Sequence, residues 1–184
     1  MTRMLLTGNA AAAWGARLAR VEYMPVYPIT PQTEIIETLG HWIDHGEMEG
    51  SIVTLDSEHS MLTAAGAAAV TGVRVFTATS SQGLLYGIEM LYTVSGWRAP
   101  FVLTNVSRGL ATPITLEPDH NDILAARDSG FLQIHCATCQ EVVDATLIAY
   151  RLAEDERVRL PVIVNLDGFQ LSFTREPVDL PDAD

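Results

Sequence analysis

Residues 51–80, SIVTLDSEHSMLTAAGAAAVTGVRVFTATS, decide the fold. The stretch opens with SIVTL (51–55) and closes with VRVFTAT (73–79). Both runs are short, rich in β-branched residues and nearly continuous in apolar character, as in strands covered on both faces. Between them Ser57 is a good N-cap, and the Ala- and Gly-rich run behind it reads as a helix over 58–71. A strand, a helix and a second strand in this order make a parallel pair joined by a right-handed crossover.

Outward from this unit the alternation continues in both directions. Helical patterns cover about 9–20, 31–45, 82–95, 119–128 and 140–154. Apolar β-rich runs lie between them: YMPVYPI (23–29), PFVLTNV (100–106), FLQIHC (131–136) and LPVIVNL (160–166). The fold class expected is α/β, an open, mostly parallel sheet with helices on both faces. One domain is expected over residues 1–172. From 173 the sequence FTREPVDLPDAD turns polar, acidic and proline-containing, and reads as an exit linker instead of a final element.

With 184 residues, 48% hydrophobic and 18% charged, the chain can bury a sizeable core. Eleven basic against 23 acidic residues leave a net charge of −12, which argues against nucleic acid and against anionic membrane surfaces as partners. No run approaches the roughly 20 apolar residues of a membrane span. Gly8 and Asn9 interrupt the apolar N-terminus, so a signal peptide is not expected and a cytoplasmic location is. Cys136 and Cys139 form a lone CATC. Without a second pair they cannot complete a zinc or iron–sulfur site, and two ordinary thiols at a strand end are expected.

Ligands of such sheets bind at the carboxyl ends of strands. Four loops there carry chemistry. In YPITPQTE (27–34), Pro28 and Pro31 flank Ile29 and Thr30 and fix one hydroxyl at a strand mouth; Pro31 reads as the first turn of the next helix. In LDSEHS (55–60), Glu58 is either an acid complementing the helix dipole or a carboxyl beside an apolar wall, poised to share a proton with a ligand nitrogen. In TATSSQG (77–83), Ser81, Gln82 and Gly83 follow a strand; the hydroxyls are either caps or a polar collar for a heteroaromatic or carboxylate group. In NVSRGLATPI (105–114), Arg108 is either half of an internal salt bridge to Asp119, Asp122 or Glu58, or a carboxylate anchor. His120 and Asp122 make only a weak HxD, with helix capping by Asp119 the plainer reading. No P-loop, GxSxG or GxGxxG is present.

Several segments resemble, in order, the first domain of the alpha chain of 2-oxoacid:ferredoxin or flavodoxin oxidoreductases, of which the pyruvate enzyme is a member. These are GNAAAAWGARLA (8–19), YPITPQTE, SEHS with AAGAA, FTATSSQGLLYGIEMLY (76–92), SRGLATP (107–113), DHNDILAARDSGF (119–131), CQEVVDATLIAYRLAED (139–155) and LPVIVNLDGFQLS (160–172). The resemblance implies a thiamine diphosphate pyrimidine-binding domain. It implies that Glu58 hydrogen-bonds the aminopyrimidine, that Arg108 and Thr30 meet the 2-oxoacid, and that Pro28, Ile29, Ser81, Gln82 and Gly83 border the cofactor. Where the family reads GNEA, this chain has Asn9-Ala10, so that acid's role is absent. No GDG metal signature is present, since DGF at 167–169 stands in another context. The resemblance therefore implies that the diphosphate and Mg²⁺ belong to a beta-type partner subunit and the iron–sulfur clusters to gamma/delta-type subunits. A non-catalytic domain of a multi-subunit complex, and a subunit of a non-oxidative thiamine enzyme, are the alternative readings.

Overall fold

The computed structural model describes residues 1–181. Six strands build the central sheet: β2 (Tyr23–Val26), β3 (Ser51–Thr54), β4 (Phe76–Thr79), β5 (Val102–Ser107), β6 (Leu132–Cys136) and β7 (Val162–Asp167). β4, β5, β7 and β6 pair in that order, all parallel. β2 and β3 form a second parallel pair. A single parallel bridge, Tyr23 to Val75, joins the two blocks. The order β3-β2-β4-β5-β7-β6 thus reverses direction between β2 and β4.

Period-2 alternation along the inner strands feeds two cores. Val102, Val106, Val162 and Val164 face one side, with α1 (Gly8–Leu18), α2 (Thr33–Asp44) and α7 (Cys139–Glu154) packed on them. Phe101, Leu103 and Ile163 face the other, beneath α3 (Glu58–Ala69) and α5 (Ile88–Gly96). Apolar side chains on both faces of one strand are what a doubly covered parallel sheet requires.

Small residues set the helix spacing. A Cβ added to Gly15 of α1 would lie 2.6 Å from Thr146 Cβ of α7. One added to Gly66 of α3 would lie 2.3 Å from Val94 Cγ1 of α5. Ser57 caps α3 as expected, its Oγ accepting from Ser60 N, and two further helices are capped in the same way: Thr7 Oγ1 accepts from Ala10 N and Thr138 Oγ1 from Glu141 N.

Several expectations need correction. The segment read as an exit linker contains β8 (Arg175–Leu180), which pairs antiparallel with β1 (Thr2–Thr7). Val178 and Leu180 point inward while Arg175, Pro177 and Asp179 point out, an alternation hidden by the polar composition. Pro177 is tolerated because a two-stranded ribbon has only edges. Residues 182–184 of that linker lie outside the described residues. The helix expected at 82–95 is two, α4 (Gln82–Tyr86) and α5, broken at Gly87, where a Cβ would lie 2.3 Å from Leu62 Cδ1. The helix at 119–128 contracts to α6 (Asn121–Ala125), and a short α8 (Gln170–Phe173) follows β7. Helix α2 opens at Thr33, two residues after Pro31, and β2 ends at Val26.

Cys136 and Cys139 are free thiols at the β6–α7 corner. Burial first, then Glu141 and Asp144, push the Cys136 thiol up to about 12. Burial first, then Glu176, pushes Cys139 up to about 11. Both stay protonated at neutral pH, so neither is a nucleophile or a ready redox partner.

Alkylation by iodoacetamide at pH 8 should therefore run roughly 100-fold or more slower at both cysteines than at a free thiol. Peptide-resolved mass spectrometry measures it. Gly15→Ala should destabilise the fold by about 1–3 kcal/mol through overpacking at the α1–α7 crossing, read as a drop in melting temperature.

Candidate active site

Strand β4 ends at Thr79, and the chain must turn from the sheet into α4 within two residues. Ser81 makes the turn with φ 48° and ψ −118°. A side chain held there costs about 1–3 kcal/mol. Asp122 supplies the compensation. Its carboxylate is wholly buried and accepts from Ser81 N at 3.0 Å. It also accepts from Asn105 Nδ2 at 3.1 Å, Ser107 Oγ at 2.9 Å and Ile123 N at 2.7 Å. A hydrogen bond to a charged group contributes about 1.5–3 kcal/mol, enough to hold the strained corner.

From Ser81 the contacts reach Arg108. Ser81 Oγ lies 2.7 Å from Gln82 Oε1 and 2.8 Å from the carbonyl of Gly109, and its proton serves one of the two. Gln82 Oε1 accepts from Arg108 Nη2 at 3.2 Å. Arg108 is 7% exposed, its Nε is buried without a partner, and so is Gln82 Nε2. Among the described residues Arg108 forms no ion pair, so the internal salt bridge weighed from sequence is absent.

Glu58, the first residue of α3, is 5% exposed. Among the described residues its carboxyl has neither hydrogen bond nor ion pair. It lies against α4: a Cβ on Gly83 would sit 2.5 Å from Glu58 Oε1 and 2.4 Å from Thr79 Oγ1. Only glycine leaves that carboxyl room. The other hydroxyls of TATSSQG are not caps. Thr77 Oγ1 donates to the carbonyl of Pro25 at 2.7 Å, and the hydroxyls of Thr79 and Ser80 are buried without partners.

The corner after β2 closes the rim. Asn9 Nδ2 donates to the Pro31 carbonyl at 2.9 Å and to Glu34 Oε2 at 3.2 Å, and Gln32 Nε2 donates to the Tyr27 carbonyl at 3.0 Å. Pro28 and Thr30 are exposed and Ile29 is half-buried. Their corner abuts the end of β5 through Gly168, where a Cβ would lie 2.3 Å from the Ser107 carbonyl and 3.2 Å from Pro31 Cγ. Glu58, Ser81, Gln82, Gly83 and Arg108 thus form one contiguous group at the switch between β2 and β4, with Thr30, Pro28 and Ile29 beside it.

Sequence reading missed the buried polar frame beneath. Asn105 and Asn165 face each other across β5 and β7, with Asn105 Nδ2 2.8 Å from Asn165 Oδ1. Asn165 Nδ2 in turn lies 3.5 Å from His120 Nδ1 and 3.3 Å from His135 Nδ1. Burial and then His120 lower the His135 pKa, while burial raises Asp167 against an opposing pull from His120. The signal was there: one asparagine at matching positions in each of two mostly apolar, fully covered strands. Asp119 accepts from Asn121 N at 2.6 Å, but the cap position of α6 is His120, which makes no side-chain cap bond. Two hollows lie elsewhere. One of about 1290 Å³ sits at the amino ends of the strands, with its Arg74 and Glu154 already paired at 2.6 Å; the other, of about 370 Å³, is lined by His120, Cys136 and Asp167.

Residues 14–184 match the family model described as pyruvate flavodoxin/ferredoxin oxidoreductase, thiamine diphosphate-binding. The chain is 47% identical to the pyruvate synthase subunit PorA of Methanocaldococcus jannaschii over 180 residues, 98% of this chain and 46% of that protein. It is 42% identical to the alpha subunit of NADH-dependent phenylglyoxylate dehydrogenase of Aromatoleum evansii, covering 97% of this chain and 43% of that one. To the ketoisovalerate oxidoreductase subunit VorA of Pyrococcus horikoshii it is 43% identical, covering 97% and 45%. It therefore spans about half the length of the curated relatives it matches. The structure of 2-oxoglutarate:ferredoxin oxidoreductase from Magnetococcus marinus shares the fold, with TM-score 0.87 at 24% identity over 98% of this chain and 32% of that one. With the family model spanning nearly the whole sequence, the chain belongs to the thiamine diphosphate-binding family of pyruvate flavodoxin/ferredoxin oxidoreductases.

Proposed function

We propose that this chain supplies the aminopyrimidine side of a thiamine diphosphate site in a 2-oxoacid:acceptor oxidoreductase. The observation that carries this reading is a pair of opposite charges, Glu58 and Arg108, buried at one end of the sheet and left unpaired within the described residues. An uncompensated buried charge is costly, so each calls for a group from outside the chain. A heteroaromatic nitrogen suits Glu58, and a carboxylate suits Arg108. The donor set fits the cofactor: Gly83 lets α4 pack against the Glu58 carboxyl without displacing it, and the buried Nε2 of Gln82 and Nε of Arg108 are left without partners beside it.

The chemistry supplied by bound thiamine diphosphate is a nucleophilic carbon and an electron sink for decarboxylation of a 2-oxoacid. Glu58 holds a proton at the aminopyrimidine ring nitrogen, as general acid and base. Arg108 anchors the oxoacid carboxylate through Nε and Nη, with Gln82 fixing the guanidinium plane. Thr30 offers a hydroxyl beside the substrate, on a corner stiffened by Pro28 and Pro31. Ile29, Ser81, Gln82 and Gly83 border the ring. A beta-type subunit carries the diphosphate and Mg²⁺, and gamma/delta-type subunits carry the iron–sulfur clusters that take the electrons.

The test is a complex co-expressed with its partner subunits, purified without oxygen and assayed for viologen reduction with a panel of 2-oxoacids. Glu58→Gln should lower turnover on the order of 10²–10⁴-fold, with the melting temperature unchanged. Full turnover in that variant rules out the role assigned to Glu58. Arg108→Lys loses the bidentate geometry and should raise KM for the oxoacid roughly 10- to 100-fold. An unchanged KM removes Arg108 from the substrate.

A further inference from the structure

Arg108 is fixed by little of its own: among the described residues its guanidinium has one hydrogen bond, to Gln82. Ser81 Oγ lies within hydrogen-bond distance of both Gln82 Oε1 and the Gly109 carbonyl and donates to one of them, and Ser81 itself is held by Asp122 through its backbone N–H. Asp122 is wholly buried and touches neither Arg108 nor Glu58 by any hydrogen bond. It ties three elements together at their active ends: the Ser81 corner after β4, Asn105 and Ser107 of β5, and the first turn of α6. Arg108 follows Ser107 directly, so the same carboxylate holds the side chain of the residue before the arginine and, through Ser81, either the Gly109 carbonyl after it or Gln82 beside it.

We propose that Asp122 is a positioning residue for Arg108, an inference that rests on reading Arg108 as the anchor of the oxoacid carboxylate. Asp122 selects the left-handed corner at Ser81. That corner aims the Ser81 hydroxyl at Gly109 and Gln82, and the guanidinium is thereby presented in one plane. Without the carboxylate the corner relaxes toward ordinary backbone angles, and Arg108 loses both flanks at once.

Asp122→Asn tests this in the complex with its partner subunits. The amide replaces one acceptor oxygen by an NH₂ group, and in either orientation it sets donor against donor. Hydrogen exchange at the peptide containing Ser81 should quicken roughly tenfold or more, with residues 102–106 of β5 unchanged. Phenylglyoxal labelling should quicken at Arg108 about threefold or more, but not at exposed Arg3 and Arg157. KM for the oxoacid should rise roughly tenfold while kcat stays within about threefold. In an Arg108→Lys background Asp122→Asn should add little further to KM, because both changes act on one contact.

A role in folding alone predicts otherwise. It lowers kcat through a smaller active fraction and leaves KM fixed in the wild-type background; that result overturns the proposal. An unchanged labelling rate at Arg108 overturns it as well. Should the wild-type complex turn over no 2-oxoacid, the oxoacid reading fails, and the labelling rate alone decides whether Asp122 holds Arg108. If Asp122→Asn yields no assembled complex, Ser81→Ala takes its place. It removes the hydroxyl that links the corner to Gly109 and Gln82, and should raise Arg108 labelling and KM together; no change in either overturns the proposal.

Discussion

Thr77 donates a hydrogen bond to the Pro25 carbonyl across the gap between β2 and β4. This bond and the lone Tyr23–Val75 bridge join the two halves of the sheet where a regular ladder is missing. The site depends on that junction. On one side the chain leaves β2 for α2, and on the other it leaves β4 for α4; these helices lie on opposite faces. The loops part at the carboxyl ends, the place where ligands of such sheets bind. Glu58 reaches this end from the start of α3, and Arg108 from the end of β5.

The chain accepts an energetic cost here. Among the described residues two ionisable groups are buried without an ionic partner, and the buried Nε of Arg108, Nε2 of Gln82 and hydroxyls of Thr79 and Ser80 are unsatisfied. Each such group costs about 1–3 kcal/mol, more when charged. Compensation comes from two well-packed cores and from Asp122, whose carboxylate is fully hydrogen-bonded. Polar groups at the carboxyl end therefore divide into two sorts. Asp122, Asn105 and Ser107 hydrogen-bond one another and form a frame, with only Asn105 Oδ1 among their side-chain atoms left without a partner. Glu58, Gln82 and Arg108 face outward from that frame with capacity to spare.

The sequence made the parallel sheet legible because its strands are apolar on both faces, and the site legible because polar residues cluster after those strands. Ser57, Thr7 and Thr138 announce their helices by capping chemistry that acts over three residues. What stayed hidden depends on contacts distant in sequence. β8 looks like linker until β1 pairs with it, some 170 residues away. Gly87 breaks a helix because of Leu62, and Gly83 matters because of Glu58. Asp122 reads as half of a weak HxD or as a salt-bridge partner of Arg108, yet its partners lie in the corner after β4 and on β5. Local propensity carries no information about such pairs.

The two thiols show the same division from the other side. CATC has the spacing of a redox pair, but burial and the acids Glu141, Asp144 and Glu176 hold both thiols protonated. Spacing proposes chemistry, and electrostatic surroundings dispose of it. By the same measure Glu58 and Arg108 stand apart. Among the described residues neither has an ionic partner, and the glycine beside Glu58 leaves its carboxyl room that any Cβ would take. A buried charge without an ionic partner is costly unless a group from outside the chain supplies one, and that cost is the physical basis of the ligand reading proposed for the two.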